Sequence, residues 1–256
     1  MPDADSPDPD AFTRLDGRGP LVLLCDHAVN FIPSEYGRLG LPASELERHI
    51  AYDIGAAALT RGLAARLGVR AVLSGFSRLL IDPNRGLDDP TLVMRLSDGA
   101  VVPGNARIDA AERARRVERF YRPYDRAVAE TIADAEAEGL APVLVSIHSF
   151  TPFWKGRPRP WHVGVLYGRD ARLAAPLLAR LRQDPALVVG DNEPYDGDLE
   201  GDTLDRHGTR HGRLHVLLEV RQDLVADEAG VAAWTGRLVP ILEGLAQARA
   251  ARDAAA

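Results

Sequence analysis

The 256-residue chain carries 31 Lys and Arg against 37 Asp and Glu, a formal charge of −6, with 46% hydrophobic and 27% charged residues. This is the balance of a folded globular protein, and it excludes a polybasic nucleic-acid binder or a membrane-surface protein. No apolar run nears the roughly 18 residues a bilayer span needs. The first ten residues hold four aspartates and no basic residue, unlike a secretory signal, so a cytoplasmic location is the expectation. The single cysteine, Cys25, excludes an intrachain disulfide and any site of several thiolates, which leaves His and carboxylates as metal donors. Lys155 is the sole lysine, so Schiff-base chemistry has little to draw on.

Residues 1 to about 18 read as a Pro/Asp-rich disordered tail ahead of one domain over 19–250, with a frayed Ala-rich end at 250–256. Leu21–Cys25 is a buried strand behind Pro20. Ser44 and Glu47 have capping-box spacing, and Leu46, Ile50, Ile54, Leu59 and Leu63 follow at near-helical period, predicting a helix to about Leu67. Short strands follow at Val69–Leu73 and Leu79–Ile81, then a loop from Pro83 to about Ile108. Asp109 and Glu112 repeat the capping spacing and open a helix to about Glu138, which Pro123 should kink or divide. Pro142–Ile147 and Val163–Tyr167 are strands separated by a Pro-rich loop, Arg172–Leu181 is a helix, and Leu187–Val189 and Leu214–Val220 are further strands. A last helix spans about Glu228–Ala248. This alternation predicts an α/β fold, a single-domain three-layer α/β/α architecture with a mostly parallel central sheet.

Ligands bind outside the carboxyl ends of strands in such sheets, so the polar residues behind each apolar run matter most. Asp26-His27, Ser146-Ile-His148-Ser149 and Glu219 occupy those places, and Asp53 lies nearby on the first predicted helix. Two imidazoles and a carboxylate can hold Zn²⁺ with one open position for water, while a further carboxylate serves as base. A lone strand-end His is commonly a hydrogen-bonded surface residue, and Asp53 alone reads as a helix residue paired to an arginine; Glu219, behind four apolar residues, must be paired or functional. His207, His211 and His215 have helical i, i+4 spacing, but Gly208 and Gly212 disfavour a helix there, so at most one should enter a pocket. The arginines at 113, 115, 116, 119 and 122, interspersed with Glu112, Glu118 and Asp125, read as a solvated helix face. Arg78, Asp82, Asn84 and Arg85 crowd one strand end and its turn. Their guanidiniums suit a substrate carboxylate or a developing oxyanion, or else brace the loop. Asn192, Pro194 and Tyr195 read first as a turn and second as a pocket wall.

These segments together resemble the N-formylglutamate amidohydrolase family. The matching pieces are Asp26-His27-Ala-Val-Asn30 with Pro33, Asp53-Ile-Gly55, Ser77-Arg78 with Asp82 and Asn84-Arg85, His148-Ser-Phe-Thr-Pro152, Arg159-Pro-Trp161, Asn192 with Pro194-Tyr195, and Glu219-Val-Arg221-Gln-Asp-Leu224. The resemblance implies a zinc-dependent exopeptidase-like fold with one Zn²⁺ on His27, Asp53 and His148, Asn30 competing as an oxygen ligand. It also implies Glu219 as general base and then acid, with Arg78, Arg85 or Arg221 receiving the substrate carboxylate or oxyanion and Asn84, Asn192 and Tyr195 at the substrate. The implied substrate is a small N-formyl or N-acyl amino acid such as N-formylglutamate. The alternatives are a peptide or cell-wall amide hydrolase and a binding protein that has lost turnover. The last draws on Asp125, where relatives commonly read His after Pro-Tyr.

Overall fold

A computed structural model of the chain describes residues 10–253. Among them the strands are β1 (Phe12–Leu15), β2 (Leu21–Cys25), β3 (Arg70–Ser74), β4 (Leu96–Ser97), β5 (Ala100–Val101), β6 (Val143–Phe150), β7 (Phe153–Trp154), β8 (Arg157–Pro158), β9 (Val163–Leu166), β10 (Val189–Asp191) and β11 (Leu214–Arg221). The α-helices are α1 (Ala43–Leu46), α2 (Ala56–Leu67), α3 (Ala110–Arg116), α4 (Arg122–Ala137), α5 (Ala174–Leu181), α6 (Thr203–His207) and α7 (Glu228–Asp253). Seven strands join in one sheet, in the order β1-β3-β2-β6-β11-β9-β10. Four of its pairings are parallel, while β1/β3 and β11/β9 are antiparallel. Strands β4/β5 and β7/β8 make two separate hairpins. The mostly parallel α/β architecture read from the alternation is the observed one.

The central strands are apolar on both faces because helices cover both. Leu23, Cys25, Val145 and Ile147 pack under Leu59 and Leu63 of α2 and Trp234 and Leu238 of α7. Val22, Leu24 and Leu144, pointing the other way by the two-residue strand period, pack with Tyr124, Ala127 and Val128 of α4. After β2 the chain returns on one side as β3, and β6 enters on the other side, which opens a crevice at the carboxyl ends of β2 and β6. Leu24 pairs with Ser146, and Glu219 of β11 pairs with His148. Registers alone thus bring His27, His148 and Glu219 to one end of the sheet.

Several local expectations are corrected. The tail expected to run to residue 18 contains β1, which pairs Phe12 with Ser74 and caps the sheet edge; residues 1–9 lie outside the described residues. Leu79–Ile81 is a buried turn and not a strand, because side chains replace a ladder partner. Asn105 Nδ2 donates to the Leu79 carbonyl at 2.7 Å, and Arg116 donates to the Leu80 carbonyl at 2.9 Å. Arg116 is therefore buried, unlike the solvated face expected of its neighbours. The helix expected over 44–67 is interrupted. Ser44 lies inside the one-turn α1 behind Pro42, and the Asp53 N–H turns aside to the His27 carbonyl at 2.9 Å, so the long helix begins at Ala56. The strand expected at Leu187–Val189 lies two residues later. The Asp109 cap forms as read, accepting from the Glu112 N–H at 2.7 Å, and the long helix divides through a π-turn at Val117–Tyr121 just before Pro123.

Gly55 makes the interruption possible. Its φ of 81° is left-handed, and a Cβ there would stand 2.2 Å from the Val225 carbonyl oxygen. Gly55→Ala should lower unfolding free energy by about 1–3 kcal/mol, read by urea denaturation. An unchanged midpoint would mean this turn does not constrain the backbone beside Asp53.

Candidate metal centre

His27 follows β2, His148 lies within β6, and Asp53 reaches them from the irregular segment before α2. All three are buried, and one donor atom from each falls within 4.8 Å of the others. Asp53 Oδ2 is 2.8 Å from His148 Nδ1 and 3.3 Å from His27 Nδ1. The opposite ring nitrogens are already held. His27 Nε2 lies 2.7 Å from Asp82 Oδ1, and His148 Nε2 lies 3.2 Å from Asp26 Oδ2 and 3.0 Å from Ser146 Oγ. Carboxylates behind imidazoles in this way fix ring orientation and tautomer and strengthen the facing nitrogens as ligands. Both imidazoles therefore present Nδ1 to the same point.

The donor set fits a divalent cation such as Zn²⁺: two imidazole nitrogens, one carboxylate oxygen, and hydrogen-bonded partners behind both rings. Glu219, one register position across from His148, leaves Oε2 buried without a hydrogen-bond partner. Burial pushes its carboxyl up to about 7, with His148 opposing the rise and Asp53 adding to it. Asp53 and Asp82 also feel burial, but it is outweighed: His27 and His148 hold Asp53, and Arg78 and His27 hold Asp82, well below the usual carboxylate range. Asp26 is held low in the same sense by hydrogen bonding to His148 and by the charges of both imidazoles. Arg78 donates to Asp82 Oδ2 at 2.9 Å and to Asp53 Oδ1 at 3.4 Å, and its Nε is left without a partner.

A cavity of about 920 Å³ opens on this group, lined by His27, Asp53, His148, Glu219, Arg78, Asn84, Arg85, Trp154 and Tyr195, among others. Two residues read from sequence as substrate contacts are not among its walls. Arg221 spends its guanidinium on Asp223 and on backbone carbonyls, and Asn192 accepts from the Tyr167 N–H at 2.8 Å inside its turn. Asn30, the rival ligand, donates to the Leu46 carbonyl at 2.9 Å. Asp125 is likewise outside the cavity walls, tied to Arg206 at 3.0 Å and to His207 at 2.7 Å. Of the three late histidines, His215 lines the cavity. What the sequence leaves unassigned is the orienting work of Asp26 and Asp82. The signal exists, since each carboxylate adjoins a buried apolar run, but its partners lie on distant segments.

A model of the N-formylglutamate amidohydrolase family matches residues 19–226. The chain belongs to that family. It is 28% identical over 191 residues to an N-formylglutamate deformylase of Pseudomonas aeruginosa, covering 68% of this chain and 71% of that protein. A solved structure of an Agrobacterium tumefaciens gene product superposes with a TM-score of 0.89 at 37% identity, over 94% of this chain and 96% of the other. An N-formylglutamate amidohydrolase from Ralstonia eutropha shares the fold, with a TM-score of 0.68 at 24% identity over 93% and 98% of the two chains.

Two measurements follow from the geometry. His148→Ala should reduce metal content, measured by elemental analysis of purified protein, to near zero, whereas Arg221→Ala should leave it at the parent value; equal loss in both would refute the ligand assignment. Asp202, which caps α6 by accepting from the Asp205 N–H, is raised to about 6 by burial and by the Asp26 charge. Its carboxyl keeps a proton in the folded state that the unfolded chain releases near pH 4, so it lowers stability as pH rises from about 4 through 6. Asp202→Asn keeps a capping oxygen and should stabilise the protein at pH 7.5 but not at pH 4, as read from paired denaturation curves.

Proposed function

We propose that the protein is a zinc-dependent amidohydrolase that cleaves the amide of a small N-acyl amino acid, with N-formylglutamate the leading substrate. The observation that carries this reading is the convergence of His27, Asp53 and His148 beside the unpartnered Glu219 oxygen. A divalent cation on the three ligands would supply Lewis acidity, acidifying water and polarising the scissile carbonyl. Glu219 takes the proton from the attacking water and delivers it to the leaving amine, a role that suits a carboxyl lifted toward neutrality. Arg78, with its Nε unspent, faces the developing oxyanion, and Arg85, on the cavity wall, takes the substrate carboxylate. Asn84 and Tyr195 are further walls of the substrate space.

Cavity size favours a second reading of the substrate range. About 920 Å³ is near the upper end of the roughly 300–1,000 Å³ that holds drug-sized ligands, which leaves room for an acyl group larger than formyl or for a short peptide. The feature that spoke for a binder without turnover, Asp125, engages Arg206 and His207 and does not wall the cavity.

Formate release from N-formylglutamate, run beside a panel of longer N-acyl amino acids, tests the substrate, and Glu219→Gln tests the base. The glutamine variant should keep its zinc and lose about 10²–10⁴-fold in kcat. A zinc-loaded parent that hydrolyses nothing in the panel would refute the reaction, and a glutamine variant of parental kcat would refute the role of Glu219.

A further inference from the structure

Helix α6 lies outside every segment the family resemblance draws on, yet it reaches behind both imidazoles. Thr203 Oγ1 donates to Asp26 Oδ1 at 2.7 Å, and Asp26 Oδ2 is the atom that meets His148 Nε2. The Thr203 N–H donates to Asn84 Oδ1 at 3.1 Å, the Asn84 N–H donates to Asp82 Oδ1 at 2.9 Å, and that same oxygen meets His27 Nε2 at 2.7 Å. One buried residue thus joins the two carboxylates that orient the two histidines. Tyr124 and Ser146 complete the set on Asp26, each donating at 2.9 Å, one to each oxygen. A carboxylate with every lone pair committed cannot swing, and neither can the ring it holds.

We propose that Thr203 is a positioning residue that sets the metal affinity of the His27, Asp53 and His148 site through Asp26 and Asp82. The inference rests on the metal-centre reading and adds a control point to it. Hydroxyl and N–H act on different arms. The hydroxyl steadies His148 and the backbone steadies His27, so removing the hydroxyl alone loosens one ring while leaving the other arm in place. Asp202 at the cap and Leu204 beyond it both line the cavity, so the element that walls the substrate space is the one that holds the ligands.

The test uses the full chain and Zn²⁺ alone. Thr203→Val removes the hydroxyl and keeps the backbone N–H, and Thr203→Ser restores the hydroxyl. Zinc affinity, measured by competition with a chromophoric chelator, should fall about ten- to hundredfold in the valine variant and return to within about threefold of the parent in the serine variant. The visible spectrum of the Co²⁺-loaded protein should change with it and recover with it. A merely structural role would instead lower the melting temperature of the metal-free protein and leave zinc affinity unmoved, and that result overturns the proposal. If valine is not accommodated, Thr203→Ala replaces it, with the same outcomes counting for and against. A parent that binds no zinc would overturn this inference together with the metal-centre reading. Parental zinc affinity in all variants would overturn this inference alone.

Discussion

Asp53 is where the charges of the site meet. One oxygen faces both imidazoles at 2.8 and 3.3 Å, and the other faces Arg78 at 3.4 Å, in surroundings nearly closed to water. Asp26 and Asp82 lie behind the rings and Glu219 lies beside them, so four carboxyl groups share a small buried volume. Stripping charges of water costs several kcal/mol per ion unless they are paired and hydrogen-bonded. The molecule meets that cost in two ways. Asp26, Asp53 and Asp82 stay ionised because each has cationic or hydrogen-bonding partners, whereas Glu219, with one oxygen unpartnered, is displaced toward neutrality. A divalent cation among the three donor atoms would lower the repulsion further, so the surplus of carboxylates fits the proposed metal centre.

The sheet order makes this concentration of charge geometrically possible. Because β2 and β6 are adjacent while their connections leave to opposite sides, a crevice opens at their carboxyl ends. The parallel register of β6 and β11 then fixes Glu219 against His148 without help from any loop. Of the three proposed ligands, Asp53 arrives from the irregular segment before α2, whereas His27 follows β2 and His148 lies in β6. Its backbone does so by breaking helical continuity at Gly55, and its N–H is satisfied by the His27 carbonyl, so the same few residues connect the first histidine to the carboxylate it faces.

Sequence alone carried much of this. Continuous apolar runs marked β2, β6 and β11 because strands covered on both faces have no other pattern, and the charged residues ending those runs marked the site. Where the reading failed, a competing interaction was non-local. Leu79–Ile81 looks like a strand until Asn105 and Arg116, residues distant in the chain, take its carbonyls. Residues 44–67 look like one helix because the apolar period survives the break at 47–55. Phe12–Leu15 is too short and too close to a polar terminus to stand out, and it becomes a strand only because β3 offers a free edge. Arg221 looked like a substrate contact through its motif, but Asp223, two residues on, engages its guanidinium first.

Thr203 illustrates the limit most sharply. Nothing about a threonine after an aspartate suggests more than a helix cap, and Asp202 does cap α6. The larger role arises because the Thr203 N–H reaches Asn84 while its hydroxyl reaches Asp26. Segment 198–205 also supplies cavity wall through Asp198, Leu199, Glu200, Leu204 and Asp205. Substrate pressing on that wall therefore presses on the scaffold of the histidines. Under the proposed function, a change in that wall that selects a different acyl group is constrained by the hydrogen bonds behind the two imidazoles, whereas Trp154 and Tyr195 line the same cavity without a hydrogen bond to either ring, so substrate range is freer to diverge there.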